Sequence, residues 1–180
     1  YIRGTAQQLV SQSYYVLEDT LKHETPNVVV FSVLAVPLNE PAKESYNRMT
    51  LDGLPWSRTK LDAILTSMTE EEQLLDYAFP LLRYHSRITE LTGDDFKYLF
   101  HRDLVSHNGY YMRVDAKPAT NVPSDRPLAD YTINADQMMW LERIRALCEE
   151  KGVELVLVKA PSLYPYWYDQ WDAQIAEYAE

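Results

Sequence analysis

A chain of 180 residues suits one domain with one core. An apolar fraction of 46% with 12% aromatics can fill an interior, and 24% charged residues with a mean hydropathy of -0.37 exclude a disordered chain. A net charge of -10 and a pI near 4.8 repel phosphate backbones and anionic headgroups, so nucleic acid and bare membrane are excluded as partners.

In chain order, residues 6–23 place Ala6, Leu9, Val10, Tyr14, Leu17 and Leu21 at three- and four-residue spacings, which predicts a helix with one apolar stripe ending at Thr25-Pro26. Asn27 to Val33 follows as a β-branched, nearly continuous apolar run, the pattern of a strand buried on both faces. Residues 37–132 are broken by seven prolines and read as an irregular, mainly helical insertion. Within it, Thr69-Glu70-Glu71-Glu72 has capping-box form ahead of a short helix at Leu74 and Leu75, and residues 115–130 read as a loop.

The helix-then-strand order returns near the end. Asn134 can cap a helix lined by Met138, Leu141, Ile144, Leu147 and Cys148, Gly152 can close it in the left-handed conformation, and Val153 to Val158 reads as a second buried strand. Two such units predict a parallel sheet covered by helices, with a last helix over about 166–180. Two strands are few for an independent sheet, so the expectation is an incomplete domain, 1–180, cut from a larger fold. No run is long and apolar enough to span a bilayer, and no charged-then-apolar leader opens the chain.

Candidate chemistry is sparse. His101-Arg102-Asp103-Leu104-Val105-Ser106-His107-Asn108 matches a kinase catalytic-loop string, but no G-x-G-x-x-G, D-F-G or A-P-E accompanies it. His101, Asp103 and His107 lack a metal-ligand rhythm, and no metal or cofactor is expected. The single Cys148 excludes an intrachain disulfide and reads as a buried structural thiol. There is no G-x-S-x-G, G-D-S or D-x-x-H, so no serine triad can be assembled locally. Lys159 ends the second predicted strand, where a cation can meet an anionic substrate or oxyanion, or stand as an ordinary surface lysine. Beyond it, the aromatic run from Tyr164 and Trp167 to Trp171 can either hold a sugar or acyl chain or pack the last helix.

The strings Gly4-Thr5-Ala6-Gln7-Gln8, Tyr46-Asn47-Arg48, Leu51-Asp52-Gly53, Lys60-Leu61-Asp62-Ala63-Ile64, Phe79 to Arg87 and Val156 to Ser162 stand in an order that resembles the middle portion of bacterial SGNH/GDSL-like hydrolases and acyltransferases. The resemblance implies a three-layer α/β/α fold with a parallel sheet, of SGNH or flavodoxin-like type. It also implies an esterase or acyltransferase acting on small-molecule or carbohydrate acyl esters, often of the cell envelope, and an extracytoplasmic setting. Its nucleophile and Asp/His blocks would lie outside these residues. By carry-over, the Gly4 backbone N–H contributes to an oxyanion hole and Gln8, one turn on, faces the same pocket. The family's third block would fall near residues 34–38, which read Leu-Ala-Val-Pro-Leu here, so its oxyanion asparagine has no counterpart. Arg83, His85 and Arg87 stand either as ligands for a substrate anion or as partners of Glu90, Asp94 and Asp95. The competing expectation is a non-catalytic carbohydrate-binding or structural envelope module.

Overall fold

The computed structural model describes Gly4, Thr5, residues 8–36, 44–79, 90–93, 135–159 and 169–180. In chain order these give α1 (Val10–His23), β1 (Val28–Ser32), a 3-10 turn (Val33–Ala35), α2 (Glu44–Leu51), α3 (Arg58–Ser67), α4 (Leu74–Ala78), α5 (Ala135–Lys151), β2 (Glu154–Val158) and α6 (Asp169–Ala179). The described elements form a mixed helix and strand fold around a two-stranded sheet in which β1 and β2 run parallel. Val28 pairs with Glu154 and Ser32 with Val158, and the Glu154 N–H donates to the Asn27 carbonyl at 3.0 Å, which extends the ladder by one bond.

Both helix-and-strand units form, α1 with a later start than the apolar periodicity gives it. Val10, Val33, Val36, Leu141, Ile144, Cys148, Val153 and Ile175 make one buried core, onto which Tyr14, Leu17 and Leu21 of α1 and Met138 of α5 pack. Full burial of a Leu or Ile side chain contributes roughly 1.5–3 kcal/mol, so Leu141 and Ile144 contribute strongly to holding α5 on the core. Trp140 joins the two helices, its ring centroid 5.5 Å from that of Tyr14 and 5.6 Å from that of Tyr15, with the Arg143 guanidinium 4.4 Å over its face. Gly152 has φ 66°. Its N–H donates to the Glu149 carbonyl and the Val153 N–H to that of Cys148, so the last carbonyls of α5 are satisfied as the chain turns into β2.

Three expectations need correction. The first helix begins at Val10; Gln8 and Leu9 before it are not helical, and the Gln8 side chain instead accepts from the Thr5 N–H. β1 is not buried on both faces. Val29 and Phe31 pack on the core, while Val28 and Val30 are 44% and 66% exposed, since both helices that cover the strand, α1 and α5, contribute to the same core. The Thr69-to-Glu72 string does not cap a helix. Glu72 accepts from the Thr69 N–H at 2.7 Å as a capping box requires, but its carboxylate is also engaged by buried groups, and α4 starts later, with the Gln73 N–H donating to Asp76 at 3.2 Å.

A second core packs on the other side of α1: Val16, Leu51, Leu54, Ala63, Ile64 and Tyr77, with Tyr15 and Met68 against them. Thus α1 is covered on two sides, by the sheet unit and by α2 and α3. Polar groups bind that second side, where the Thr59 hydroxyl donates to Glu18 at 2.5 Å, Lys22 donates to Thr59, and the Tyr15 and Thr66 hydroxyls lie 3.1 Å apart. Within residues 37–132 the described elements are helices, α2 to α4. The 115–130 loop, the His101–Asn108 string and Asn134 lie outside the described residues.

Candidate functional site

The link Glu24–Asn27 reverses the chain between α1 and β1, and Val10 at the start of α1 shares a core with Val33 and Val36 just beyond β1. The beginning of α1 therefore lies at the carboxyl end of β1. Because β2 is parallel and in register, Lys159, the residue after β2, lies at that same end of the sheet. Carboxyl ends of parallel strands are where open α/β sheets collect their ligands. Lys159 and Gly4 are both exposed, and a side chain built on Gly4 would meet nothing within 4 Å.

Gln8 is engaged locally. Its Oε1 accepts from the Thr5 N–H at 2.9 Å and the Thr5 hydroxyl at 3.1 Å, and its Nε2 donates to the Ser13 hydroxyl at 2.9 Å, which itself donates to the Leu9 carbonyl. Its amide is committed to Thr5 and Ser13. The other residues singled out from sequence, Arg83, His85, Arg87, Tyr164 and Trp167, lie outside the described residues.

A set of buried polar residues joins α1 to α2 and to the segment between α3 and α4. Gln12 is 1% exposed; its Oε1 accepts from the Leu9 N–H at 3.1 Å and its Nε2 donates to Asn47 Oδ1 at 2.8 Å. Asn47 donates to the Ser67 carbonyl at 2.8 Å and to Glu72 Oε2 at 3.2 Å. The Tyr77 hydroxyl donates to Glu72 Oε1 at 2.5 Å, and the Arg48 guanidinium lies 4.4 Å over the Tyr77 ring with its Nε 3.1 Å from Asp52 Oδ2. Lys60 donates to the Leu54 carbonyl at 2.9 Å and sits 4.8 Å over the Trp56 ring. Above, Thr50 Oγ1 shares a 2.5 Å hydrogen bond with Thr5 Oγ1.

Glu72, Tyr77 and Lys60 are each shifted for a definable reason. Burial alone would raise the Glu72 carboxyl, but hydrogen bonds from Thr69, Tyr77 and Asn47 outweigh it and hold the group below its usual range. Burial first, then the bond to the Glu72 carboxylate, pushes Tyr77 far above the ordinary phenol value, so it stays a donor. Burial lowers the Lys60 ammonium, with Asp52 opposing and Arg48 adding to the effect. The chemistry available to this set is positioning: Glu72 is an ionised acceptor with its oxygens engaged, and Tyr77 a neutral donor. The sequence signal that can find such residues is a polar side chain at an apolar-periodic helix position, as Gln12 is on α1.

A separate open groove of about 370 Å³ lies between α5 and α6, lined by Met138, Gln174, Glu177 and Tyr178. The Tyr178 hydroxyl donates to Glu142 Oε2 at 2.7 Å, and Arg145 with this bond holds the Glu142 carboxyl down at about 2. Among the described residues no group of histidine, cysteine and carboxylate side chains gathers as a metal site, and no helix is long and apolar enough to cross a membrane. Comparison with protein-family models, curated proteins and solved structures returns no match to this chain.

Proposed function

We propose that these residues are the middle of a three-layer SGNH-like esterase or acyltransferase, in which the Gly4 turn supplies an oxyanion N–H and Lys159 an anion-facing charge to a nucleophile and an Asp/His pair encoded outside them. The observation that carries the reading is the parallel, in-register pairing of β1 and β2, which brings the start of α1 and Lys159 to one end of the sheet. An oxyanion donor has to be reachable by substrate, and Gly4 is exposed. The substrate class is an acyl ester of a small molecule or envelope carbohydrate.

The test is hydrolysis of p-nitrophenyl acetate by the protein carrying its native flanking stretches, set beside residues 1–180 alone. Turnover abolished by a serine-directed phosphonate in the longer protein, and absent from the shorter one, supports the reading. Serine-dependent turnover by the 180 residues alone overturns the split site, and an inert longer protein overturns the esterase assignment. The α5–α6 groove favours one other reading, a non-catalytic carbohydrate module, because a tyrosine, a glutamine and a glutamate beside an apolar floor suit sugar hydroxyls. Binding of neutral oligosaccharide lost in Gln174→Ala would support it.

A further inference from the structure

We propose that the open groove between α5 and α6 binds an organic cation, an alkylammonium whose chain lies on Met138 and whose charge meets Glu177. This goes beyond the esterase reading and does not depend on it. Among the described residues Met138, Gln174, Glu177 and Tyr178 line the groove, and its volume of about 370 Å³ suits a small molecule. Met138 packs on the core, so the apolar floor is held in place. The hydrogen-bonding capacity of the other three selects the charge of the ligand. The Glu177 carboxylate only accepts. The Tyr178 hydroxyl has one proton, which it gives to Glu142 Oε2 at 2.7 Å, so what it has left is a lone pair. Glu142 cannot return that proton, because Arg145 and Tyr178 hold its carboxyl ionised, with a pKa of about 2. Gln174 is then the one lining side chain with a donor to offer.

Charge on the two helices points the same way. The sequence of α6 has Asp169, Asp172 and Glu177 and no lysine, arginine or histidine. On α5, Arg145 is shared between Glu142 and Glu149, two carboxylates to one guanidinium, Arg143 lies over the Trp140 ring, and Lys151 pairs with Glu150 in the last turn. The net charge of -10 adds a long-range attraction for a cation. A neutral sugar fits less well, since its hydroxyls also accept and Gln174 alone answers their lone pairs.

The test is titration of the protein, carrying its native flanking stretches, with hexylammonium chloride, followed by NMR of isotope-labelled methionine methyls, with the Met138 signal assigned through Met138→Leu. Hexanol and hexanoate, the neutral and anionic counterparts of the same chain length, and a neutral oligosaccharide are run beside it. The expected result is a saturable Met138 shift with hexylammonium at roughly millimolar concentration, weaker binding of hexanol and none of hexanoate. In Glu177→Gln the hexylammonium affinity should fall about threefold to fivefold, the factor that one exposed ion pair commands. Glu177 is exposed, so this variant folds as the parent does. A Met138 signal silent toward hexylammonium, hexanol bound as well as hexylammonium, or an affinity unchanged in Glu177→Gln overturns the proposal. A Met138 signal that moves for the oligosaccharide alone overturns it too and gives the groove to the sugar reading. Turnover of p-nitrophenyl acetate, present or absent, decides the esterase reading separately.

Discussion

Replacing Asn47 by alanine tests whether the polar residues between α1, α2 and α4 hold the fold together. Asn47 is fully buried and engages three groups: Gln12 Nε2 at 2.8 Å, the Ser67 carbonyl at 2.8 Å and Glu72 Oε2 at 3.2 Å. Those groups lose differently. Glu72 Oε2 keeps the Thr69 N–H at 2.7 Å, whereas the Gln12 amide loses its bond to α2 while remaining 1% exposed. Leaving a buried polar group unsatisfied costs about 1–3 kcal/mol. Full loss at Gln12, partial loss at Ser67 and little at Glu72 give roughly 3 kcal/mol, which for a chain of this length lowers Tm by about 6–12 °C. Urea unfolding followed by tryptophan fluorescence reads the change, with the exposed Asn27→Ala as a control near zero. Asn47→Asp separates hydrogen bonding from cavity formation, because it fills the site but sets a second carboxylate against Glu72. It should be destabilised at pH 7 and recover partly toward pH 5. A loss under about 1 kcal/mol in Asn47→Ala, or an Asn47→Asp variant indifferent to pH, would refute the argument.

Other outcomes follow from single groups. The folded-state pKa of Glu72 is depressed, so its contribution to stability is complete above the unfolded carboxylate range and is lost as pH falls through the lower folded value; in Glu72→Gln, stability measured by urea unfolding should depend less steeply on pH between about 5 and 3. Tyr77→Phe removes the hydroxyl that donates to Glu72 but leaves the ring beneath Arg48, and should cost about 1.5–3 kcal/mol by the same measurement, as expected for a bond to a charged acceptor. Gly152→Ala meets no steric obstacle within 4 Å, so the left-handed backbone alone sets its cost, about 1–2 kcal/mol in thermal unfolding. Cys148 is 1% exposed and burial raises its thiol pKa, so a disulfide reagent should label it in denaturant and leave it untouched in the native protein.

What could be read in advance was whatever obeys a period. The Leu141, Ile144 and Cys148 stripe, the closing Gly152 and the β-branched runs at 28–32 and 154–158 each announce an element through local chemistry, and each formed. The apolar run of β1 carries no mark of which face is covered, since Val28 and Val29 are the same residue type yet only Val29 packs on the core. The second side of α1 was hidden for the opposite reason. Ser11, Gln12 and Asp19 are buried there, and a period drawn through apolar residues alone passes over them. Glu72 was legible as a capping residue and does hold the Thr69 N–H, but Asn47 and Tyr77 also bond its carboxylate and the helix starts only at Leu74. Of the proposed site, the end of the sheet at which Lys159 stands follows from element order. The binding of Gln8 to Thr5 and Ser13 does not, since one turn of spacing says nothing about which partner wins.

The short polar strings that carry the resemblance, Tyr46-Asn47-Arg48, Leu51-Asp52-Gly53 and Lys60 to Ile64, are mainly interior. Asn47, Arg48 and Lys60 are each under 5% exposed, Asp52 pairs with Arg48, and Ile64 is fully buried. A polar residue at such depth persists at low cost only when each of its groups meets a partner, and that demand ties its identity to the identity of several others at once. Exchanging Asn47 would strand Gln12 and Ser67; exchanging Glu72 would strand Tyr77 and Asn47. Such a set specifies how α2, α3 and α4 sit against α1 more sharply than the Leu51 and Ile64 core does, because apolar contacts tolerate sliding and hydrogen bonds at 2.8 Å do not. The polar strings are therefore evidence about the scaffold beside α1. The chemistry proposed at Gly4 rests instead on its exposure and on the sheet end that the start of α1 shares with Lys159.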